Sequence, residues 1–205
     1  MVSFFKRRKF FKPKPRFFKP KPTVFKPQYY DNWKIDNRGI VSEVLQRLGI
    51  CWAIANVRSF AAMLKIRGLL PPHQQLSIEE LVQQMRFYFP HEVFPPVYGI
   101  RDLLLAEFIL KSHGLVAEEM NPLYYNFEST EEIPLPKEYA SPTQKYYIEK
   151  MELVRAVDFE SYEKFEASLV KDLHKCPLAC SVKLYPSFND ITGKQLYDPT
   201  VQSMK

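Results

Sequence analysis

Cysteine is scarce in this chain of 205 residues, which contains only Cys51, Cys176 and Cys180. Three cysteines exclude the dense disulfide framework that holds small secreted domains together. Cys176 and Cys180 have no second cysteine pair to complete a zinc site, so we interpret both as small buried apolar residues. The sequence therefore predicts neither a metal site nor a cofactor.

Long apolar runs are absent as well. No stretch approaches the roughly 18 apolar residues that a membrane-spanning helix needs. Lysines interrupt the pairs of phenylalanines near the N-terminus, so no signal peptide is predicted. Together with the missing disulfide framework, these features favour a cytoplasmic or nuclear protein that does not cross a membrane.

Acidic residues are missing from the first 30 residues, which carry ten lysines and arginines. Phe-Phe-Lys recurs three times there, and five prolines favour extended chain over a helix. We predict a disordered basic arm over residues 1–30 and one globular domain over residues 31–205. Residues 1–29 suit binding to an anionic surface, either nucleic acid or lipid. The alternative is a solvated tail without a dedicated partner.

The globular part contains four predicted helices, and apolar residues at intervals of three or four mark the first, third and fourth. Ser77 is a predicted N-cap, Glu80 can complete a capping box, and Leu76 with Leu81 can form a hydrophobic staple. The helices are expected to run from Cys51 to Gly68, from Ser77 to about Tyr88, over residues 100–112 and over residues 158–175.

Extended structure is predicted on both sides of the fourth helix. Apolar and polar residues partly alternate over residues 145–157, and residues 178–185 are rich in strand-forming types. A further short extended segment is predicted at residues 40–45. Helices first and strands later indicate the α+β class.

One segment, residues 46–53, combines the parts of a nucleophilic site. Cys51 opens a predicted helix, where the unpaired amides and the helix dipole favour a thiolate. The Gln46 side-chain amide and the Cys51 backbone N–H can supply hydrogen bonds to an oxyanion. A thiolate nucleophile also needs a group that shuttles a proton, which is normally a histidine.

The segment Gln46-Arg47-Leu48-Gly49-Ile50-Cys51-Trp52-Ala53 resembles the papain-like cysteine proteases, whose signature is Gln-Gly-x-Cys-Gly-x-Cys-Trp-Ala. Stretches that resemble the same family follow its order at residues 32–44, 76–82, 106–125 and 165–185. The resemblance implies a papain-like cysteine proteinase fold with a helical left domain and a β-rich right domain. It also implies that Cys51 is the nucleophile and that Gln46 belongs to the oxyanion hole.

The catalytic histidine and asparagine of that family stand in His-Ala-Val and Asn-Ser-Trp contexts, which this sequence does not contain. None of its four histidines has the right context, and each is interpreted as a surface or helix-capping residue: His73, His91, His113 and His174. The chain stops at Lys205, about where the histidine strand is expected, so the left domain is predicted to be complete and the right domain incomplete.

The predicted function is that of a papain-like cysteine peptidase homologue without peptidase turnover. We expect a protein partner to cover the incomplete right domain. Two alternatives stay open. One is an active cysteine endopeptidase whose base comes from an unexpected histidine or another chain. The other is a binding protein that acts through the basic arm.

Overall fold

The computed structural model describes residues 40, 49–92, 100, 102–123, 135–140 and 143–181. The chain divides into two units, Met1–Tyr30 and Asp31–Lys205, and all described residues belong to the second. The predicted basic arm, Gln46 and most of the extended segment at 40–45 lie outside the described residues. These three features therefore stay predictions.

Helix α1 spans Cys51–Ile66 and carries small residues on the faces where other elements approach it. Ala53, Val57 and Ala61 have no exposed surface. Gly68 stops the helix just beyond its last turn, because its φ of 70° is a left-handed conformation that glycine adopts more readily than other residues. The N–H of Gly68 donates to the Lys65 carbonyl at 3.0 Å and closes the last turn. The predicted start and end of this helix are confirmed.

Helix α2 spans Ile78–Tyr88 and is buried along its first eight residues. Ser77 caps it, because its Oγ accepts a hydrogen bond from the Glu80 N–H at 2.9 Å. The same hydroxyl donates to the Asn121 carbonyl at 2.6 Å. Leu76 and Leu81 are both fully buried. The predicted N-cap is confirmed.

Helix α3 spans Leu104–Ser112, and it packs on α2 as α1 does. It begins later than the predicted residue 100, since Asp102 Oδ1 accepts from the Leu104 N–H at 2.9 Å and sets the first turn there. Beyond α3 the backbone makes two isolated bridges, Leu115 with Tyr146 and Leu76 with Ala117. The chain that follows α3 is thereby joined to the residues before α2 on one side and to Tyr146 on the other.

Helix α4 spans Tyr162–Leu173 and has no buried residue. Its predicted start at residue 158 is too early, because Ala156–Asp158 forms a separate short 3-10 turn. The Ser59 hydroxyl of α1 donates to the Pro177 carbonyl at 2.9 Å, which ties the chain beyond α4 to the core.

The predicted α+β class is wrong. The described residues form four α-helices, a short 3-10 turn and two isolated bridges, and they contain no sheet. They therefore do not form a papain-like fold with a helical left domain and a β-rich right domain. The strand predicted at 145–157 is absent, because only Tyr146 finds a bridging partner and residues 152–157 are exposed. Alternating polar and apolar residues form a strand only where a neighbouring segment pairs with their backbone N–H and C=O groups. Residues 178–181 are not a strand either, and 182–185 lie outside the described residues.

Candidate functional site

Cys51 is the first residue of α1, and its side chain is exposed. The two neighbours that follow it, Trp52 and Ala53, are buried and hold the start of the helix in the core. The amides of Ala53 and Ile54 both donate to the Ile50 carbonyl, at 2.9 and 3.0 Å. The helix therefore presents a thiol to solvent from a hydrogen-bonded first turn.

The residues that would complete a site with Cys51 are Gln46 and a histidine. Gln46 lies outside the described residues. His73 and His91 are exposed, while His113 and His174 are the C-cap residues of α3 and α4, as expected. Among the residues that the structure describes, no hydrogen bond or ion pair links the Cys51 thiol to a histidine.

His113 belongs to an aromatic cluster instead. Its ring stacks on Tyr88 with centroids 4.3 Å apart, and its Nδ1 lies 3.5 Å from the Tyr88 hydroxyl. Phe108 meets His113 edge-on at 5.9 Å. Burial, and then the positive charge of Lys145, lower the pKa of His113, so the neutral imidazole is favoured there.

The remaining cysteines are free thiols. Cys176 is partly buried, and burial followed by the charge of Asp172 raises its pKa. Cys180 is exposed, so its interpretation as a buried apolar residue is wrong. Within the described ranges, no group of three or more histidine, cysteine, aspartate or glutamate side chains is arranged to hold a metal ion.

A buried polar cluster on α2 was not predicted from the sequence. Four polar side chains of this helix are buried: Glu79, Glu80, Gln83 and Gln84. Each glutamine amide donates back to the glutamate four residues earlier, Gln83 to Glu79 at 3.0 Å and Gln84 to Glu80 at 2.6 Å. Buried polar groups of this kind persist only when they are hydrogen-bonded.

The Glu80 carboxylate is the centre of this cluster. It accepts from the Tyr139 hydroxyl, from the Lys145 ammonium at 3.3 Å and from the Asn121 amide at 3.4 Å. Burial raises the pKa of Tyr139, and the hydrogen bond and negative charge of Glu80 raise it further. The carboxylate therefore joins α2 to three distant positions of the chain.

The sequence predicted that Glu80 would complete a capping box with Ser77, which differs from the buried role that the structure shows. A capping box requires its carboxylate to accept from the Ser77 N–H, but that N–H donates to the Val116 carbonyl at 3.0 Å. The reciprocal half of the predicted box is wrong. The sequence did contain a signal for the hydrogen bonds of this cluster. Glu79 and Gln83 are four residues apart, as are Glu80 and Gln84, and side chains four apart on a helix are neighbours.

No protein-family model matches the chain, and a search of curated proteins finds no significant match. Among the described residues, no helix is both long enough and apolar enough to cross a membrane.

Proposed function

We propose that this chain is a homologue of the papain-like cysteine peptidases in which Cys51 is a reactive thiol without peptidase turnover. The observation that carries the proposal is the exposed thiol on the first residue of α1, held by the buried Trp52 and Ala53. The first turn of a helix attracts negative charge through its free amides and its dipole. A thiol placed there is a suitable nucleophile for an electrophilic ligand.

The placement of the histidines supports the absence of turnover. Acyl transfer by a cysteine needs an imidazole within hydrogen-bond reach, to take the thiol proton and return it to the leaving group. His113 is instead stacked on Tyr88, and His174 caps α4. Loss of one member of a coupled catalytic group removes most of its rate.

An epoxysuccinate probe tests the thiol, because it alkylates a nucleophilic cysteine without needing the full hydrolytic cycle. We expect Cys51 to be labelled and peptide substrates to stay uncleaved. Cys180 is the internal control, since it is also exposed but does not begin a helix. Mass spectrometry of the intact chain and of its peptides gives the rate at each cysteine.

The Cys51→Ala variant is the matched chemical control. It should lose the fast labelling of Cys51 and keep the slower labelling of the other cysteines. Equal labelling rates at Cys51 and Cys180 would contradict the reactive thiol. Peptide hydrolysis that disappears in Cys51→Ala would instead establish an active endopeptidase and reject the absence of turnover.

A second function is favoured by the ten basic residues and absent acids of residues 1–30. We propose that this arm binds nucleic acid or anionic lipid, in the cytoplasm or nucleus, where free cysteines such as these persist. Binding of the full chain to single-stranded DNA and to phosphatidylserine vesicles should weaken steeply from 50 to 200 mM salt. A chain lacking residues 1–29 that binds equally well would reject this role.

The exposed apolar side chains around α4 suggest a protein partner for the same unit. Val157, Tyr162 and Leu173 are all exposed, and none of the α4 residues is buried. We propose that a protein partner covers this face, in place of the incomplete right domain that the sequence suggested. A chain that stays monomeric and captures no partner through this face would count against the proposal.

A further inference from the structure

Residues 152–155, called here the unpaired segment, have the sequence of a strand but contain no helix, turn or bridge. Arg155 has extended backbone angles, with φ of −124° and ψ of 143°. Just before the segment, the Met151 N–H donates to the Glu107 carboxylate at 3.2 Å, which ties that residue to α3. Within the described ranges, the amides of residues 152–155 donate to no acceptor.

The side chains of the unpaired segment are exposed together with its backbone. Leu153 is 49% exposed and Val154 is 38% exposed. A row of backbone groups without partners, beside exposed apolar side chains, is the kind of edge to which another strand adds. The segment therefore lacks only a neighbour to become a strand.

The charges of the unpaired segment distinguish between the ways in which a second copy can pair with it. Glu152 and Arg155 are its only charged residues. A parallel pair in register would place Glu152 beside Glu152 and Arg155 beside Arg155, and such like-charged pairs are destabilising. An antiparallel pair centred between residues 153 and 154 places Glu152 of each copy opposite Arg155 of the other.

Both charged side chains are available for that pairing. Glu152 pairs with Lys150 and Arg155 with Asp158, and all four side chains are largely exposed, so these ion pairs contribute little. The Arg155 guanidinium has five N–H donors and can bind a second carboxylate. The same antiparallel centre pairs every residue of the unpaired segment and places Leu153 opposite Val154.

We propose that a second copy of this chain pairs with the unpaired segment as an antiparallel strand, so that the two copies form a dimer with two-fold symmetry. This inference rests on the protein partner proposed for the α4 face, because Val157 of that face lies two residues beyond the segment, and it identifies that partner as a second copy. Since only four residues of each copy pair, we expect a dissociation constant near about 100 μM, which leaves the chain monomeric at the low concentrations used for denaturation.

Charge reversal tests the pairing, with the dissociation constant of the full chain measured by sedimentation velocity. Glu152→Arg and Arg155→Glu each turn two attractive pairs into two repulsive ones, so each should raise the dissociation constant by at least about tenfold. Glu119→Arg is the matched control, because it reverses the charge of an exposed glutamate outside the segment. It should leave the dissociation constant unchanged.

Combined variants separate strand pairing from any association that the basic arm causes. The double variant Glu152→Arg/Arg155→Glu restores both attractive pairs and should dimerise as the parent chain does. An equimolar mixture of the two single variants should form a heterodimer, because one chain then carries two arginines and the other two glutamates. Hydrogen exchange of the amides of residues 152–155 should slow as the parent chain dimerises.

Three results would overturn the second copy as the partner. They are a parent chain that stays monomeric up to about 1 mM, single reversals that dimerise as the parent does, and a double variant that stays dissociated. The protein partner of the α4 face is tested separately from this pairing. A chain that stays monomeric but binds a different protein through Tyr162 would reject the second copy and keep that protein partner.

Discussion

Helices α2 and α4 are nearly equal in length, and each begins at a serine N-cap, yet their surroundings differ completely. In α2 every residue from Ile78 to Met85 is buried, whether apolar or polar, because α1 and α3 pack on this helix. In α4 no residue is buried. Apolar periodicity and a good cap therefore specify a helix, but the neighbouring elements decide how much of it is covered.

The largest expected difference between the two helices concerns leucine. Leu81 of α2 is fully buried and Leu173 of α4 is 39% exposed. Leu81→Ala should lower the free energy of unfolding by about 2–5 kcal/mol, because it removes buried methyl groups and leaves a cavity. Leu173→Ala should cost below about 1 kcal/mol. Urea denaturation followed by circular dichroism measures both, and equal losses would mean that α4 is covered in solution.

The next difference concerns glutamate. Glu80→Ala leaves Tyr139 and Lys145 without their shared acceptor, so we expect a loss of about 3 kcal/mol in the free energy of unfolding. Glu152 is the matched control, since it pairs with Lys150 in solvent. Glu152→Ala should be indistinguishable from the parent chain in the same urea experiment. A Glu80→Ala variant as stable as Glu152→Ala would show that the buried cluster contributes nothing.

The two caps give a smaller difference. Ser77 accepts from Glu80 and donates to Asn121 inside the core, whereas Ser161 is only partly buried and accepts from the Lys164 N–H at 3.3 Å. Ser77→Ala should cost about 1–2 kcal/mol of unfolding free energy, and Ser161→Ala about 0.5 kcal/mol. The two alanine variants differ only in position. A reversed order would contradict the assignment of Ser77 to the buried core.

The smallest expected effect depends on pH. The pKa of Tyr139 is raised in the folded chain, so the folded state holds this proton more tightly than the unfolded state does. The contribution of Tyr139 is therefore complete below the unfolded value, about pH 10, and is lost as the pH rises above it. Tyr139→Phe should flatten the fall of the urea midpoint between pH 9 and 11. Parallel curves for both chains would exclude this coupling.

Local signals predicted the helical part of the fold well. The start of α1 at Cys51, its end at Gly68 and the cap at Ser77 each depend on residues within one helical turn, and all three are confirmed. The strand over residues 145–157 failed because its existence depended on a partner strand, and the described chain supplies Tyr146 with only one bridge.

The candidate site was predicted unevenly for a similar reason. The placement of Cys51 at a helix start depends only on that helix and is confirmed, while its role as a nucleophile stays a prediction. The burial of Glu80 depends on Asn121, Tyr139 and Lys145, and nothing near Glu80 in the sequence points to them. Gln46 lies outside the described residues, so its role as an oxyanion donor stays a prediction.

The hydrogen bonds of Glu80 also bear on the order in which the chain folds. Its partners are 41, 59 and 65 residues away along the chain, so this carboxylate must stay hydrated until all three have arrived. Closing loops of that length is slow compared with forming a helix turn. We therefore expect Glu80→Ala to speed unfolding in stopped-flow experiments while leaving the refolding rate nearly unchanged. The contacts of the Glu80 carboxylate are therefore expected to form late in folding and to slow the unfolding of the native structure.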